Sequence, residues 1–251
     1  MHPDAHHRRP GAQRARVVLG GQPVRYEVSG AGPAVVLVHG LGGSARWWRG
    51  TAASLARSHR VIVPDLPGFG YGSGAPFSLR DAPPLLDALL DALGAREAAL
   101  VGHSFGALAC MATAAAQPDR VSRLVLVGPP VTTASPGLVG NVLPVARTVL
   151  GLPPSAVLTV LGDAATRSPL ALLRAAGEIL SHGEPAGGAA AVPTMVVWGE
   201  RDVLVPLERA AWVERALPEA DLRVIAGAGH VPMLDRPAAF SALLERFLGD
   251  T

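Results

Sequence analysis

The pentapeptide Gly102-His103-Ser104-Phe105-Gly106 constrains this chain more than any other segment. Residues 97–102 before it (EAALVG) read as a strand, and residues 104–116 after it read as a helix. A serine between strand and helix, with a glycine two places away on either side, fits a sharp turn. Such a turn holds the serine hydroxyl clear of the sheet, and the glycines let neighbouring backbone come close. The helix is apolar on every side, so it belongs in the interior. A buried helix following a buried strand calls for a layered α/β architecture.

The rest of the chain keeps that rhythm. Residues 16–19 and 24–28 flank Gly20-Gly21-Gln22-Pro23 and read as an opening hairpin. Residues 34–39 (AVVLVH) and 60–64 (RVIVP) are short apolar runs suited to strands buried on both faces. A helix is expected over 46–58, and another from Ser78, as its cap, to Leu93. Residues 121–127, 194–198 and 221–225 continue the sheet, with helices over 207–216 and 238–247. The expected fold is a doubly wound, mostly parallel sheet of about eight strands with helices on both faces.

The alternation lapses over residues 129–192. Charges there are few, and short apolar patches are split by Pro and Gly, so two to four short helices are expected as a small lid inserted after the sixth strand. The domain reading is a tail over 1–15, a core from 16–128 and 193–251, and the lid over 129–192. No stretch reaches the ~18 continuous apolar residues of a membrane span.

Composition narrows the function classes. Every one of the 22 basic residues is Arg, and the net charge is only +2. Arg8, Arg9, Arg14 and Arg16 against Asp4 give the first 16 residues +3, which leaves −1 on the remainder. A near-neutral folded part does not point to a nucleic-acid partner. Cys110 is the only cysteine, so no internal disulfide can form. The first residues have no apolar core of the kind a secretory signal carries, and the expected location is the cytoplasm. His2, His6 and His7 read as part of a solvated arm, because nothing around them would fix a metal geometry.

A serine hydroxyl becomes a useful nucleophile only when a base takes its proton. The base is expected after the last strand, where Ala226-Gly227-Ala228-Gly229-His230 places a histidine on a glycine-rich loop. A carboxylate must set that histidine's tautomer and stabilise the imidazolium. Asp202, in Trp198-Gly199-Glu200-Arg201-Asp202, is the leading candidate, with Glu200 the nearer alternative. The loop after Val127 has no carboxylate to compete, and Asp65 and Asp235 read as a loop-fixing residue and a helix-start residue. Two N–H donors for an oxyanion are expected from Phe105 and from Leu41 in His39-Gly40-Leu41-Gly42-Gly43. His39, Trp47, Trp48 and His182 are candidates for the substrate pocket; His39 and His103 are read mainly as residues that pack or orient the loops.

Together, His39–Gly43, Asp65-Leu66-Pro67-Gly68-Phe69-Gly70, Gly102–Gly106, Gly199-Glu200-Arg201-Asp202 and Gly229-His230 resemble the α/β-hydrolase superfamily over roughly residues 16–248. The pattern is similar to its lid-bearing branch of small esterases, carbon–carbon hydrolases, enol-lactonases and haloperoxidase-like enzymes. The resemblance implies a Ser104–His230–Asp202 triad that needs no metal or organic cofactor. Relatives that open alkyl halides or epoxides carry a carboxylate where this chain has Ser104. The expected activity is hydrolysis of a small to medium, largely apolar carboxylic ester or lactone. The alternatives are carbon–carbon hydrolysis of a β-diketone-like substrate, and a ligand-binding or natural-product-rearranging role on the same fold. The oligomeric state is not legible in the sequence.

Overall fold

A computed structural model describes residues 12–69, 77–130, 140, 142–166, 169–181 and 192–249. Among the described residues, eight strands form one sheet: β1 (Gln13–Leu19), β2 (Gln22–Ser29), β3 (Ala34–Val38), β4 (Arg60–Pro64), β5 (Ala98–His103), β6 (Val121–Val127), β7 (Thr194–Gly199) and β8 (Asp221–Ile225). Their order is β1-β2-β4-β3-β5-β6-β7-β8. The β1–β2 and β2–β4 pairings are antiparallel and the rest parallel. The expected mostly parallel sheet is therefore present.

The opening hairpin turns through Gly20 and Gly21, at φ +56° and +78°. Two consecutive positive φ values match the two-residue turn that suits strand twist, and glycine adopts them without steric cost. The first strand begins at Gln13, earlier than the expected boundary at residue 16, because Gln13, Arg14 and Ala15 pair with Val28, Glu27 and Tyr26. The expected tail thus yields its last three residues to the sheet, and residues 1–11 lie outside the described residues.

Alternate residues of the central strands feed two cores. Val36, Val38, Leu100, Leu124 and Leu126 pack on one face with α2 (Ala82–Ala92) and α3 (Phe105–Ala116). Val35, Leu37, Val101, Val125 and Val127 pack on the other with α1 (Arg49–Leu55). Each fully buried Val or Leu contributes about 1.5–3 kcal/mol of transfer free energy, so burial on both faces holds the central strands firmly. The helix expected over 46–58 divides into a 3-10 turn, Ala45–Trp48, and α1. Ser78 does open the next helical stretch: its N–H donates to Asp81 Oδ2 across 3.0 Å.

Among the described residues, three further helices follow β6 before β7: α4 (Val142–Leu150), α5 (Pro154–Ala165) and α6 (Pro169–Ser181). Beyond β7 come α7 (Ala211–Ala216), then, after β8, α8 (Pro232–Asp235) and α9 (Pro237–Gly249). The inserted helices bury small apolar residues and expose several large ones. Ala156, Ala171 and Ala175 are buried, whereas Leu158, Leu161, Leu170 and Leu173 are exposed. Among the described residues no single helix is long and apolar enough to cross a membrane.

Candidate active site

Parallel strands deliver their carboxyl ends to one edge of the sheet, and ligand sites of open α/β sheets gather there. Ser104 leaves the end of β5 with φ +51° and ψ −115°, and it is the only non-glycine residue with positive φ among the described residues. Its N–H donates to the Val127 carbonyl at 2.8 Å, which fixes the turn against β6. Such backbone strain persists only when the surroundings enforce it. Here the enforcement is packing: a Cβ on Gly102 would sit 2.2 Å from the Gly106 carbonyl oxygen, and one on Gly106 would sit 2.5 Å from the carbonyl oxygens of Val38 and His39. Both glycines of the pentapeptide are sterically required.

His230 and Asp202 meet. His230 Nδ1–H donates to Asp202 Oδ2 across 2.7 Å, with both side chains buried. The other carboxylate oxygen, Oδ1, accepts the N–H groups of Leu204 and Val205 at 2.9 and 2.8 Å. With Nδ1 occupied as a donor, Nε2 is the nitrogen that can accept a proton. Glu200, the alternative acid, instead accepts the Gly227 N–H at 2.8 Å and has an exposed side chain. Gly128, at φ +50°, backs this pair closely: a Cβ there would lie 3.2 Å from the His230 ring and 3.5 Å from Asp202 Oδ2. Gly199 is needed for the same loop, since its Cβ would lie 2.1 Å from the Gly229 carbonyl oxygen.

The histidine beside Ser104 joins the two halves of the site. His103 Nε2–H donates to the His230 carbonyl at 2.9 Å, and the two ring centroids are 4.9 Å apart. Burial holds His103 well below the ordinary histidine range, and the nearby His230 adds to the effect. Its Nδ1 has no hydrogen-bond partner and faces Gly40, where a Cβ would approach it to 2.6 Å. A neutral ring spares His230 a second positive charge at close range. Cys110, buried in α3, is inert by the same physics, because burial pushes its thiol up.

The loop after β3 closes with Gly43 N–H donating to the Gly40 carbonyl at 3.0 Å, and Gly42 takes φ +72° at its third position. That is a type II turn, which requires a positive φ at this corner. The Leu41 N–H is not consumed by the closing hydrogen bond. Phe105 is the first residue of α3, so its N–H has no acceptor within the helix. His39 holds the loop from beneath, donating through Nδ1 to the Gly40 carbonyl at 2.9 Å and accepting the Leu66 N–H at Nε2 at 3.1 Å. Asp65 Oδ1 accepts the Ala45 N–H at 2.8 Å, the loop-fixing role expected of it. Asp235 differs from expectation: it ends α8 rather than starting a helix, and its Oδ2 accepts the Gly229 N–H at 2.6 Å.

The expected pocket residues separate. Trp47 lies against the loop, with a Cβ on Gly43 falling 3.1 Å from its ring, and its ring centroid is 5.7 Å from that of His103. Trp48 is fully buried and packs on Phe240 of α9, with centroids 6.1 Å apart, so it belongs to the core and not to a pocket. His39 is likewise fully buried and serves the loop. His182 lies outside the described residues.

Two acids of the inserted helices complete the surroundings, and the sequence reading assigned them no role. Asp163 of α5 is buried and accepts Ser44 Oγ–H at 2.7 Å, Trp47 Nε1–H at 3.0 Å and Arg46 at 3.1 Å. Glu178 of α6 accepts the Leu79 N–H at 2.7 Å. Leu172 of α6 lies over the loop, 3.6 Å from where a Gly42 Cβ would be. The only sequence signal for either anchor was a single acid in a charge-poor helix, Asp163 standing as the one charged residue of α5 and Glu178 sharing α6 with Arg174. Among the described residues no group of three or more His, Cys, Asp or Glu side chains is arranged to hold a metal ion.

Comparison with known proteins agrees with this architecture. Residues 35–243 match the model of the alpha/beta hydrolase family. The chain is 30% identical to 2-hydroxymuconate semialdehyde hydrolase of a Pseudomonas species, covering 93% of each chain. It is also 30% identical to pimeloyl-[acyl-carrier protein] methyl ester esterase of Chromobacterium violaceum, over 88% of this chain and 96% of that one. Among solved structures, the enol-lactonase of Burkholderia xenovorans superposes with a TM-score of 0.83 at 20% identity, over 94% of this chain and 100% of that one. The sheet order, the strained serine turn and these matches lead to one statement: the chain belongs to the α/β-hydrolase family.

Proposed function

We propose that the protein hydrolyses a carboxylic ester or lactone of small to medium size and largely apolar character, through an acyl-enzyme on Ser104. The observation that carries this reading is the buried His230–Asp202 hydrogen bond of 2.7 Å, on a loop that His103 ties to the residue before a serine held at φ +51°. In the proposed mechanism, Asp202 keeps the Nδ1–H tautomer of His230, so Nε2 takes the Ser104 proton as the oxygen attacks the carbonyl carbon. The oxyanion is met by the N–H groups of Leu41 and Phe105. His230 then protonates the leaving alcohol, and water, activated by the same nitrogen, releases the acid and restores Ser104.

An apolar substrate is supported by Leu172 above the loop and by the inward use of Asp163 and Glu178. The Asp163 carboxylate is buried and taken up by Ser44, Arg46 and Trp47, so it does not face a ligand. The esterase and enol-lactonase likenesses support the same class.

A second reading, carbon–carbon hydrolysis of a β-diketone-like substrate, draws support from the likeness to 2-hydroxymuconate semialdehyde hydrolase over 93% of both chains. The test is turnover of p-nitrophenyl esters of rising acyl length beside a vinylogous β-diketone, with a fluorophosphonate label and Ser104→Ala as controls. Ester turnover that vanishes in the variant is the expected result. Labelling with diketone turnover alone would replace the first reading with the second. Absence of both labelling and turnover would leave a binding or rearranging role.

A further inference from the structure

Asp163 stands outside the proposed triad and oxyanion hole, yet its contacts converge on the segment next to Leu41. Its carboxylate is 2% exposed and accepts donors from Ser44, Arg46 and Trp47, three of the four residues directly after the turn at 40–43. The fourth, Ala45, is tied from the core side, through its N–H to Asp65 Oδ1 at 2.8 Å. Segment 44–47 is therefore held between a core carboxylate and an insert carboxylate. Trp47, one of the residues bound to Asp163, also forms the wall against Gly43 and packs near His103.

We infer that Asp163 is a positioning residue for the oxyanion hole, so that the seating of the inserted helices sets where the Leu41 N–H points. The inference rests on the proposed acyl-transfer reading. Donors to a developing oxyanion act through placement, and a displacement of about 1 Å can cost about 100-fold in rate. A carboxylate suits the task because its two oxygens accept several donors at once, two of them N–H groups that cannot act as acceptors. Asparagine at this site would present an NH2 group to part of the same donor set.

Glu178 supplies a comparison. It also fastens the insert, through the helix whose Leu172 lies over the loop, but its hydrogen bond goes to the Leu79 N–H and not to segment 44–47. Asp163→Asn, Trp47→Phe and Glu178→Gln would be compared with the unaltered full chain. The readouts would be p-nitrophenyl ester kinetics, fluorophosphonate labelling rate and inhibition by a trifluoromethyl ketone, whose adduct carries the oxyanion.

The expected result for Asp163→Asn is a kcat about 10- to 100-fold lower with KM within about twofold, and ketone affinity falling in step with kcat. Trp47→Phe, which removes a single donor and keeps most of the ring, should move the same quantities in the same direction by less. It keeps the question answerable if Asp163→Asn does not fold. Glu178→Gln keeps an acceptor for the Leu79 N–H and should lower kcat and ketone affinity by clearly less than Asp163→Asn does. Equal losses in the Asp163 and Glu178 variants, or a change confined to KM, would overturn the inference while leaving the acyl-transfer reading intact. No labelling or turnover in the unaltered chain would overturn that reading, and this inference with it.

Discussion

The Nε2–H of His103 donates to the carbonyl oxygen of His230 across 2.9 Å, tying the residue before Ser104 to the loop that carries its candidate base. The bond forms only if His103 keeps that proton and stays buried. Its environment therefore makes stability depend on pH.

His103 has a folded pKa well below its unfolded value of about 6.5. Above pH 6.5 both states hold the ring neutral, and its contribution to stability is fully present. As pH falls from about 6.5 towards the folded pKa, the unfolded chain gains a proton that the native state refuses, so stability is lost. Thermal melts from pH 8 to pH 5 should show this decline. His103→Leu should flatten that part of the curve and, by leaving the His230 carbonyl unpaired, lower stability at pH 8 by about 1–3 kcal/mol. An unchanged slope in the variant would show that other groups set the acid limb.

Asp235 runs the other way. Burial raises its pKa, and the Gly229 N–H and Arg236 only partly offset this. The carboxylate form therefore weighs against the native state at neutral pH, and the disadvantage fades as pH drops through its raised folded value towards 3.8. Asp235→Asn keeps an acceptor for the Gly229 N–H and removes the charge near Asp202. Its melting temperature should exceed that of the unaltered chain at pH 8 and converge with it near pH 4. A lower melting temperature at pH 8 would contradict this account.

Asp202→Asn separates tautomer control from simple packing. The amide oxygen can still accept from Leu204 and Val205, while its NH2 group faces His230 Nδ1 and favours the opposite tautomer. Ester turnover should fall about 10³- to 10⁴-fold, with melting temperature changed far less. Parallel losses in both would assign Asp202 a structural role instead.

Two glycines should respond differently to one added methyl group. At Gly102 a Cβ would meet backbone 2.2 Å away, which nothing can vacate, so Gly102→Ala should cost about 3 kcal/mol or more in urea unfolding. At Gly128 the nearest atoms are the His230 ring at 3.2 Å and Asp202 Oδ2 at 3.5 Å, and the backbone sits at φ +50°. Gly128→Ala should cost about 1–2 kcal/mol from the backbone and lower kcat disproportionately by shifting the histidine.

Much of this was legible along the chain because the signals are local. Apolar runs such as 34–38 and 124–127 read as strands since both of their faces are buried or nearly so, and Gly102 and Gly106 mark a turn that admits no side chain. What the sequence by itself determined was the order of the sheet elements and the residue types at the ends of its strands. Tertiary structure decided which of those residues meet. Only folding brings Asp202 within 2.7 Å of His230 and turns Glu200 towards Gly227. It also sends Trp48 into the core and Trp47 to the loop, though the two are adjacent in sequence. Asp163 reaches Ser44 across 119 residues of chain. A pattern along the chain specifies which face a side chain occupies, but a partner so distant is fixed only when separate elements pack, and hydrogen bonds made that way leave no periodic trace.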